Sequence, residues 1–183
     1  EEEREAVRYS TNLMNILMAY AKNCSGQFIY LSSHEVYSLN YPDNIEEDEP
    51  LTPSGFRSMV LAQGEEICES HRGYRSKDII TLRLDHLYSI PNERKDVDNI
   101  CSKMCLEVLE DQTITLTEGN SFTLLYETDA VEFIYRIIKA RRHKYPVYNI
   151  ATTQVMSEFD IASLITDYMG FDVDLKSTHV EGT

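Results

Sequence analysis

Nine side chains belong to the types that bind metals or act as nucleophiles: Cys24, Cys68, Cys101 and Cys105, with His34, His71, His86, His143 and His179. No two cysteines have the C-x-x-C spacing of zinc knuckles or redox motifs, and no histidines stand in an H-E-x-x-H pattern. Cys101 and Cys105 are four residues apart on a predicted helix, close enough for a metal pair. Free cysteine is among the most buried residue types, and two small apolar core residues account for them better. These spacings predict no protein-bound metal, and thiols that stay free in a reducing compartment.

The elements that must position any chemistry follow from hydrophobic period. Residues 1–23 carry Val7, Leu13, Met14, Ile16, Leu17, Met18 and Tyr20, one broad apolar helix face, and the acidic start Glu1–Glu5 suits the positive end of the helix dipole. F-I-Y-L-S-S, residues 28–33, reads as a strand buried on both faces. Residues 41–53 hold three prolines and an acidic cluster, Asp43 and Glu46 to Glu49, and read as a solvated loop. A helix is expected over 56–72, a buried strand over 79–84, a helix over 97–109 and a strand over 113–117. Val131, Phe133, Ile134, Ile137 and Ile138 give a helix over 129–142 that ends in a basic run. V-Y-N-I, 147–150, is a strand, and Ser157 caps a helix that Gly170 stops. This alternation predicts an α/β architecture with parallel strands.

The sequence has 183 residues with 17 basic and 31 acidic side chains, a formal net charge of -14. That length suits one domain with a substantial core. Nucleic acid and anionic membrane surfaces are poor partners, since both are held by Lys and Arg neutralising phosphates. No apolar run approaches the roughly 20 residues that span a bilayer, and no signal sequence opens the chain, which predicts a cytoplasmic protein. The first residue is Glu1 rather than Met, inside a predicted helix, which points to a segment removed upstream.

Four stretches together resemble the later two-thirds of an extended short-chain dehydrogenase/reductase, the NAD-dependent sugar-nucleotide epimerase/dehydratase group. V-R-Y-S-T-N-L-M-N-I-L, 7–17, resembles the helix after the family's fourth strand. F-I-Y-L-S-S-H-E-V-Y-S resembles the strand ending in the catalytic Ser/Thr and a Val-Tyr-Gly turn. L-R-L-D-H-L-Y-S-I-P, 82–91, is similar to the Leu-Arg-x-x-Asn-x-Tyr-Gly-Pro element. T-E-G-N-S-F-T-L-L-Y-E-T-D-A-V, 117–131, and Y-N-I-A, 148–151, are like substrate-domain elements. The resemblance implies a partial Rossmann-like parallel sheet over 1–95 and a small C-terminal α/β substrate-domain lobe over 96–183, interleaved with it. Helices 5–22 and 56–72 are those through which family enzymes dimerise, so a homodimer is implied.

By the same resemblance Ser33 matches the catalytic Ser/Thr, and Glu35 follows as the one acid/base candidate in register, with His34 where dehydratases have Asp. A capping role for Ser33 and a solvated turn for Glu35 explain these two residues as well. Tyr37 matches a packing position. His86 stands where an Asn is common, and Phe122 near where an Arg clamps the nucleotide pyrophosphate, so both substrate-binding positions are altered. The family's catalytic Tyr and the Lys four residues on, which lowers the phenol's pKa, are absent. Ser54, Gly55, Phe56, Arg57 and Ser58 cover the Tyr positions, and Ser58 to Ala62 the Lys positions. The seven glycines form no G-x-x-G-x-x-G motif for a dinucleotide pyrophosphate. The expectation is a catalytically inactive binding or scaffold module with no cofactor of its own. The alternative is the C-terminal portion of a longer enzyme that uses NAD or NADP and a nucleotide-sugar. An active enzyme using Glu35 or His34 in altered chemistry is a third reading.

Overall fold

The computed structural model describes residues 2–37, 45–75, 78–140, 142–170 and 173–178. Residues 38–44 of the region around the acidic loop, with Asp43, lie outside them, as do Glu1, Arg141 and His179. The chain forms two units, residues 1–85 with 131–150, and residues 86–130 with 151–183.

The first unit is built on a parallel sheet. Helix α1 (Glu2–Asn23) leads into β1 (Phe28–Ser33), α2 (Phe56–Arg75) leads into β2 (Ile79–Leu84), and β6 (Val147–Ile150) completes the order β1-β2-β6. The register pairs Tyr30 with Thr81, Leu31 with Leu82 and Ser32 with Arg83. Side chains alternate along a strand, so Tyr30, Ser32, Thr81 and Arg83 share one face, and the two helices cover it. Leu13, Leu17 and Tyr20 of α1, Tyr30 of β1, Cys68 of α2 and Ile79 of β2 form one buried cluster. Gly64 of α2 belongs to this contact: a Cβ there would collide with the Tyr30 phenol, so only glycine lets the ring lie against the helix.

Two expectations for this unit need correction. Strand β1 is not buried on both faces, since Leu31 is 49% exposed. The cause is that β1 is the edge of its sheet, and no described strand lies beyond it. Nor is α1 apolar on one buried face only. Leu13, Leu17 and Tyr20 are buried, while Val7, Met14, Ile16 and Met18 are exposed on other sides of the helix.

The second unit mixes strand directions. β3 (His86–Tyr88) runs parallel to β5 (Ser121–Tyr126), β5 runs antiparallel to β7 (Val155–Ser157), and β4 (Thr113–Thr117) runs parallel to β8 (Asp174–Thr178). Among the described strands β5 and β7 are the one antiparallel pair, beside the parallel sheet expected of the first unit. Helices α3 (Ile100–Asp111) and α5 (Glu158–Met169) bury Met104, Val108, Ile161 and Ala162 against Ile114 and Leu116. Local chemistry fixes the ends of α5. Ser157 Oγ accepts the Asp160 N–H, Asp160 answers with a carboxylate on the Ser157 N–H, and Gly170 turns left-handed at φ 71°. Helix α3 is capped by Asn99 and ends at Gln112, left-handed at φ 52°. Helix α4 (Glu127–Lys139) follows β5 directly and belongs to the first unit from Val131 onward. Its Ile137 is buried, but Val131, Phe133 and Ile138 are exposed.

Candidate active site

Strand β1 ends at Ser33, whose extended backbone releases the chain into a short 3-10 turn over His34–Val36. Ser33 Oγ accepts the Glu35 N–H at 3.2 Å, so the hydroxyl caps this turn. The His34 ring follows, with Nδ1 3.2 Å from the Leu84 carbonyl and 3.6 Å from Asp85 Oδ1. Asp85 is buried at the end of β2. Glu35 projects toward the first turn of α2, where Arg57 Nη1 lies 3.8 Å from its carboxylate.

The first turn of α2 decides what proton chemistry this end of the sheet can perform. Among the residues that cover the expected Tyr positions, Ser58 is buried, and its hydroxyl exchanges hydrogen bonds with the Gly55 N–H and carbonyl. Phe56 is partly exposed, and Arg57 reaches Glu35. One helical turn after Arg57 stands Leu61. None of the residues 54–62 supplies a phenol or a lysine, whichever of them stands in register. An arginine stays protonated throughout the working range and cannot serve as a base.

Behind this turn lies a buried polar network. Arg83 and Glu65 are 5% and 7% exposed. The guanidinium donates Nε to both Glu65 oxygens at 3.1 Å and Nη2 to Oε2 at 2.8 Å. Ser32 donates its hydroxyl to Glu65 Oε1 at 2.6 Å. Arg83 Nη1 donates to the Tyr37 hydroxyl and, at 3.1 Å, to the Glu47 carbonyl. Tyr37 donates its hydroxyl to Asn149 Oδ1 at 2.9 Å. Asn149 closes the network, donating Nδ2 to the Ile45 carbonyl at 3.1 Å and its backbone N–H to the Glu47 carboxylate at 2.9 Å. Burial opposes the Arg83 charge, but the bonds to Glu65 outweigh it and hold the guanidinium above its usual pKa. Burial likewise pushes the Tyr37 phenol up, against the pull of Arg83. Tyr37 is therefore a neutral donor at physiological pH, a structural part rather than an acid or base.

His86 and Phe122 belong to the second unit, on the neighbouring strands β3 and β5. Their rings meet edge to face, 5.0 Å apart at 86°. Such a pair favours packing and leaves no guanidinium for a pyrophosphate. Sequence reasoning brought out Ser33, Glu35, His86 and Phe122 but missed Glu65, Asn149 and Glu47. The signal was a lone acid on the inner side of the 56–72 helix and a lone Arg in an apolar strand.

The described residues do not fit a dinucleotide on their own. Gly55 stands alone at the start of α2 with its N–H taken by Ser58 Oγ. The described glycines with positive φ, Gly119 and Gly170, occupy turns of the second unit. No glycine cradle opens a described helix.

The profile of the NAD dependent epimerase/dehydratase family matches residues 2–151. The chain belongs to this family. No curated protein matches it. Among solved structures, a UDP-glucuronic acid 4-epimerase from Bacillus cereus, in complex with UDP-glucuronic acid and NAD, superposes with a TM-score of 0.82 at 20% identity, over 93% of this chain and 54% of that one. An NAD dependent NDP-hexosamine 5,6-dehydratase of tunicamycin biosynthesis gives 0.82 at 17% identity, over 96% and 58%. A dTDP-glucose 4,6-dehydratase from Bacillus anthracis in complex with NAD gives 0.79 at 20%, over 94% and 55%. The fold is thus that of Rossmann-like epimerases and dehydratases, and the chain spans little more than half the length of these relatives. Among the described residues no helix is long and apolar enough to cross a membrane.

Proposed function

We propose that this member of the epimerase/dehydratase family is catalytically inactive as a 183-residue chain and serves as a binding or scaffold module. The observation that carries this reading is the Arg57–Glu35 pair at the head of α2, with Leu61 one turn on. Residues 54–62, which cover the positions of the family's phenol and its lysine, hold neither, and Ser33 is engaged as a cap. Glu35 remains as the sole family-matched acid, and it faces a cation. A cytoplasmic setting agrees with four free cysteines. Association into a homodimer through α1 and α2 fits the exposed Val7, Met14 and Met18 along α1 and Met59 on α2.

Calorimetric titration with NAD, NADP and UDP-sugars, together with a turnover assay on the same sugars, tests the reading. The expected result is no cofactor binding and no turnover. Turnover that disappears in Glu35→Gln would overturn it and make Glu35 a catalytic acid or base.

A second reading is favoured by the share of the solved relatives that the chain covers, 54–58%. On it, the chain is the C-terminal portion of a longer NAD(P)-dependent sugar-nucleotide epimerase or dehydratase, whose cofactor half is encoded upstream. A longer form that binds NAD supports this reading, whether or not it turns over.

A further inference from the structure

We infer that the basic surface formed by Lys139, Arg142, Lys144 and Tyr145, where α4 ends and β6 begins, docks an acidic peptide segment of another protein. The inference rests on the binding-module reading above and names the chemistry of the partner. Three observations carry it.

The first is the distribution of charge. From Phe133 to Ser157 the sequence holds Arg136, Lys139, Arg141, Arg142 and Lys144 and no Asp or Glu, although the whole chain carries -14. The second is that the exposed cations of this stretch have no acid of their own. Arg57, Arg72, Arg83 and Arg136 of the same unit each stand beside a carboxylate. Lys139, Arg142 and Lys144 are exposed, and among the described residues no carboxylate lies within ion-pair distance of them. The dipole of α4 accounts for Lys139, which stands in its last turn. That field falls off within one turn and leaves Arg142 and Lys144 unexplained.

The third observation is that these cations are held in place. The Lys139 ammonium lies 5.4 Å from the centre of the Tyr135 ring, and the Lys144 ammonium 4.7 Å from that of Tyr145. Tyr145 is half exposed, and its N–H donates to the Tyr148 hydroxyl of β6 at 3.1 Å. At the next residue Arg72 Nη2 of α2 donates to the Pro146 carbonyl at 3.4 Å. The segment is therefore tied to β6 and to α2, and a partner loses little affinity to ordering it. Clustered cations that include an arginine recognise acidic motifs, and an exposed tyrosine ring takes up an apolar residue within one. The charge of the whole chain selects a small partner. At physiological salt the Debye length is about 8 Å, so a short acidic segment meets the local positive field while the acidic remainder is screened. A nucleic-acid duplex or an anionic bilayer extends past that range and meets carboxylates.

Fluorescence anisotropy tests this with the 183-residue chain and a labelled peptide of about ten residues, acidic except for a central Phe. The peptide should bind with a Kd of about 100 μM or tighter. Raising salt from about 0.1 to 1 M, which cuts the Debye length from about 10 to 3 Å, should weaken binding at least about tenfold. Lys139→Glu with Arg142→Glu and Lys144→Glu should weaken it at least about tenfold and leave the unfolding midpoint unchanged. Tyr145→Ala should weaken it about threefold. Reversing three exposed cations elsewhere, Arg8→Glu with Lys22→Glu and Lys103→Glu, changes net charge equally and should weaken it less than about threefold. Absence of peptide binding overturns the inference, as does an equal loss in the two triple variants. Tighter binding to duplex DNA or to phosphatidylserine vesicles than to the peptide also overturns it. Self-association that the peptide displaces does so in favour of a second copy. Turnover separates the two claims. A chain inert toward UDP-sugars that ignores the peptide keeps the module reading and loses this surface; a chain that turns over and still binds the peptide here does the reverse.

Discussion

Glu65 and Arg83 meet as a two-pronged carboxylate–guanidinium pair across the interface between α2 and β2, with Nη2 to Oε2 at 2.8 Å and both residues at most 7% exposed. The pair is one end of a network that ties five segments: α2 through Glu65, β1 through Ser32, β2 through Arg83, the turn after β1 through Tyr37, and β6 through Asn149. Ile45 and Glu47 attach the acidic loop to the same groups. The network fixes the height of α2 on the sheet. It therefore sets where Arg57 and Leu61 stand relative to the Ser33 turn, without touching any reacting atom itself.

Removing one half of this pair should be far more costly than removing both. Glu65→Ala leaves a buried guanidinium without its carboxylate and should lower stability by about 3–5 kcal/mol. The double variant Glu65→Leu with Arg83→Met removes both charges and should recover most of that loss. Urea unfolding of the three proteins checks this. By contrast, Arg57→Ala breaks a pair whose arginine side chain is 79% exposed and should change stability by no more than about 1 kcal/mol.

The contrast between these two pairs shows what sequence could and could not convey. Element type was legible wherever burial imposed a period. Leu13, Leu17 and Tyr20 marked α1, I-I-T-L-R-L marked β2, and Ser157 with Gly170 marked both ends of α5. Strands β3 and β7, three residues each, were not legible, since a run that short carries no period, and β5 and β8 went unread beside them. At the site, the absence of Tyr and Lys was readable because every register lacked them. The partner of Arg57 was not, since Glu35 lies in a separate segment that only the α2–β1 packing brings near. Exposure of Leu31 and Val131 was hidden for a related reason: sequence reports that a residue is apolar, while neighbours decide whether anything covers it.

Gly64→Ala should destabilise the protein although alanine is the better helix former. The gain in helix propensity is about 1 kcal/mol. Against it, the new methyl meets the Tyr30 phenol, and Tyr30 is held on two sides by Tyr9 and the Leu61 carbonyl. Overpacking of this kind costs about 1–3 kcal/mol, so a net loss of up to about 2 kcal/mol is expected. Tyr30→Phe in the Gly64→Ala background should restore part of it, which thermal unfolding can measure.

Stability should fall on the alkaline side, and Cys68 should contribute to the fall. Burial in the α1–α2–β1 cluster pushes its thiol up from 9.0 to about 12. In the unfolded chain the thiol ionises near 9, while in the folded protein it keeps its proton to about 12. Between these values the unfolded state binds fewer protons, so unfolding becomes easier as pH rises. The contribution is complete below pH 9 and lost progressively above it. Tyr30 and Tyr20, also raised chiefly by burial, act in the same direction. Urea midpoints at pH 8 and pH 10.5 should differ, and Cys68→Ala should reduce the difference. A thiol reagent at pH 8 should label exposed Cys24 rapidly and Cys68 only after unfolding.

The cap of α5 gives a separable acid-side effect. Asp160 is held below the ordinary carboxylate value of 3.8 by its hydrogen bonds from the Ser157 hydroxyl and N–H. A depressed pKa means that the stabilisation is present above the unfolded value and is lost as pH falls through the folded one. The cap should therefore hold at pH 5 and weaken below pH 3.8. Ser157→Ala removes the acceptor for the Asp160 N–H and should cost about 1 kcal/mol at neutral pH. Because the capping box needs both members, the penalty of Ser157→Ala should shrink once Asp160 is protonated. Denaturation of wild type and variant at pH 7 and pH 3 reads this directly: an equal penalty at both values would mean that Ser157 caps the helix without help from the carboxylate.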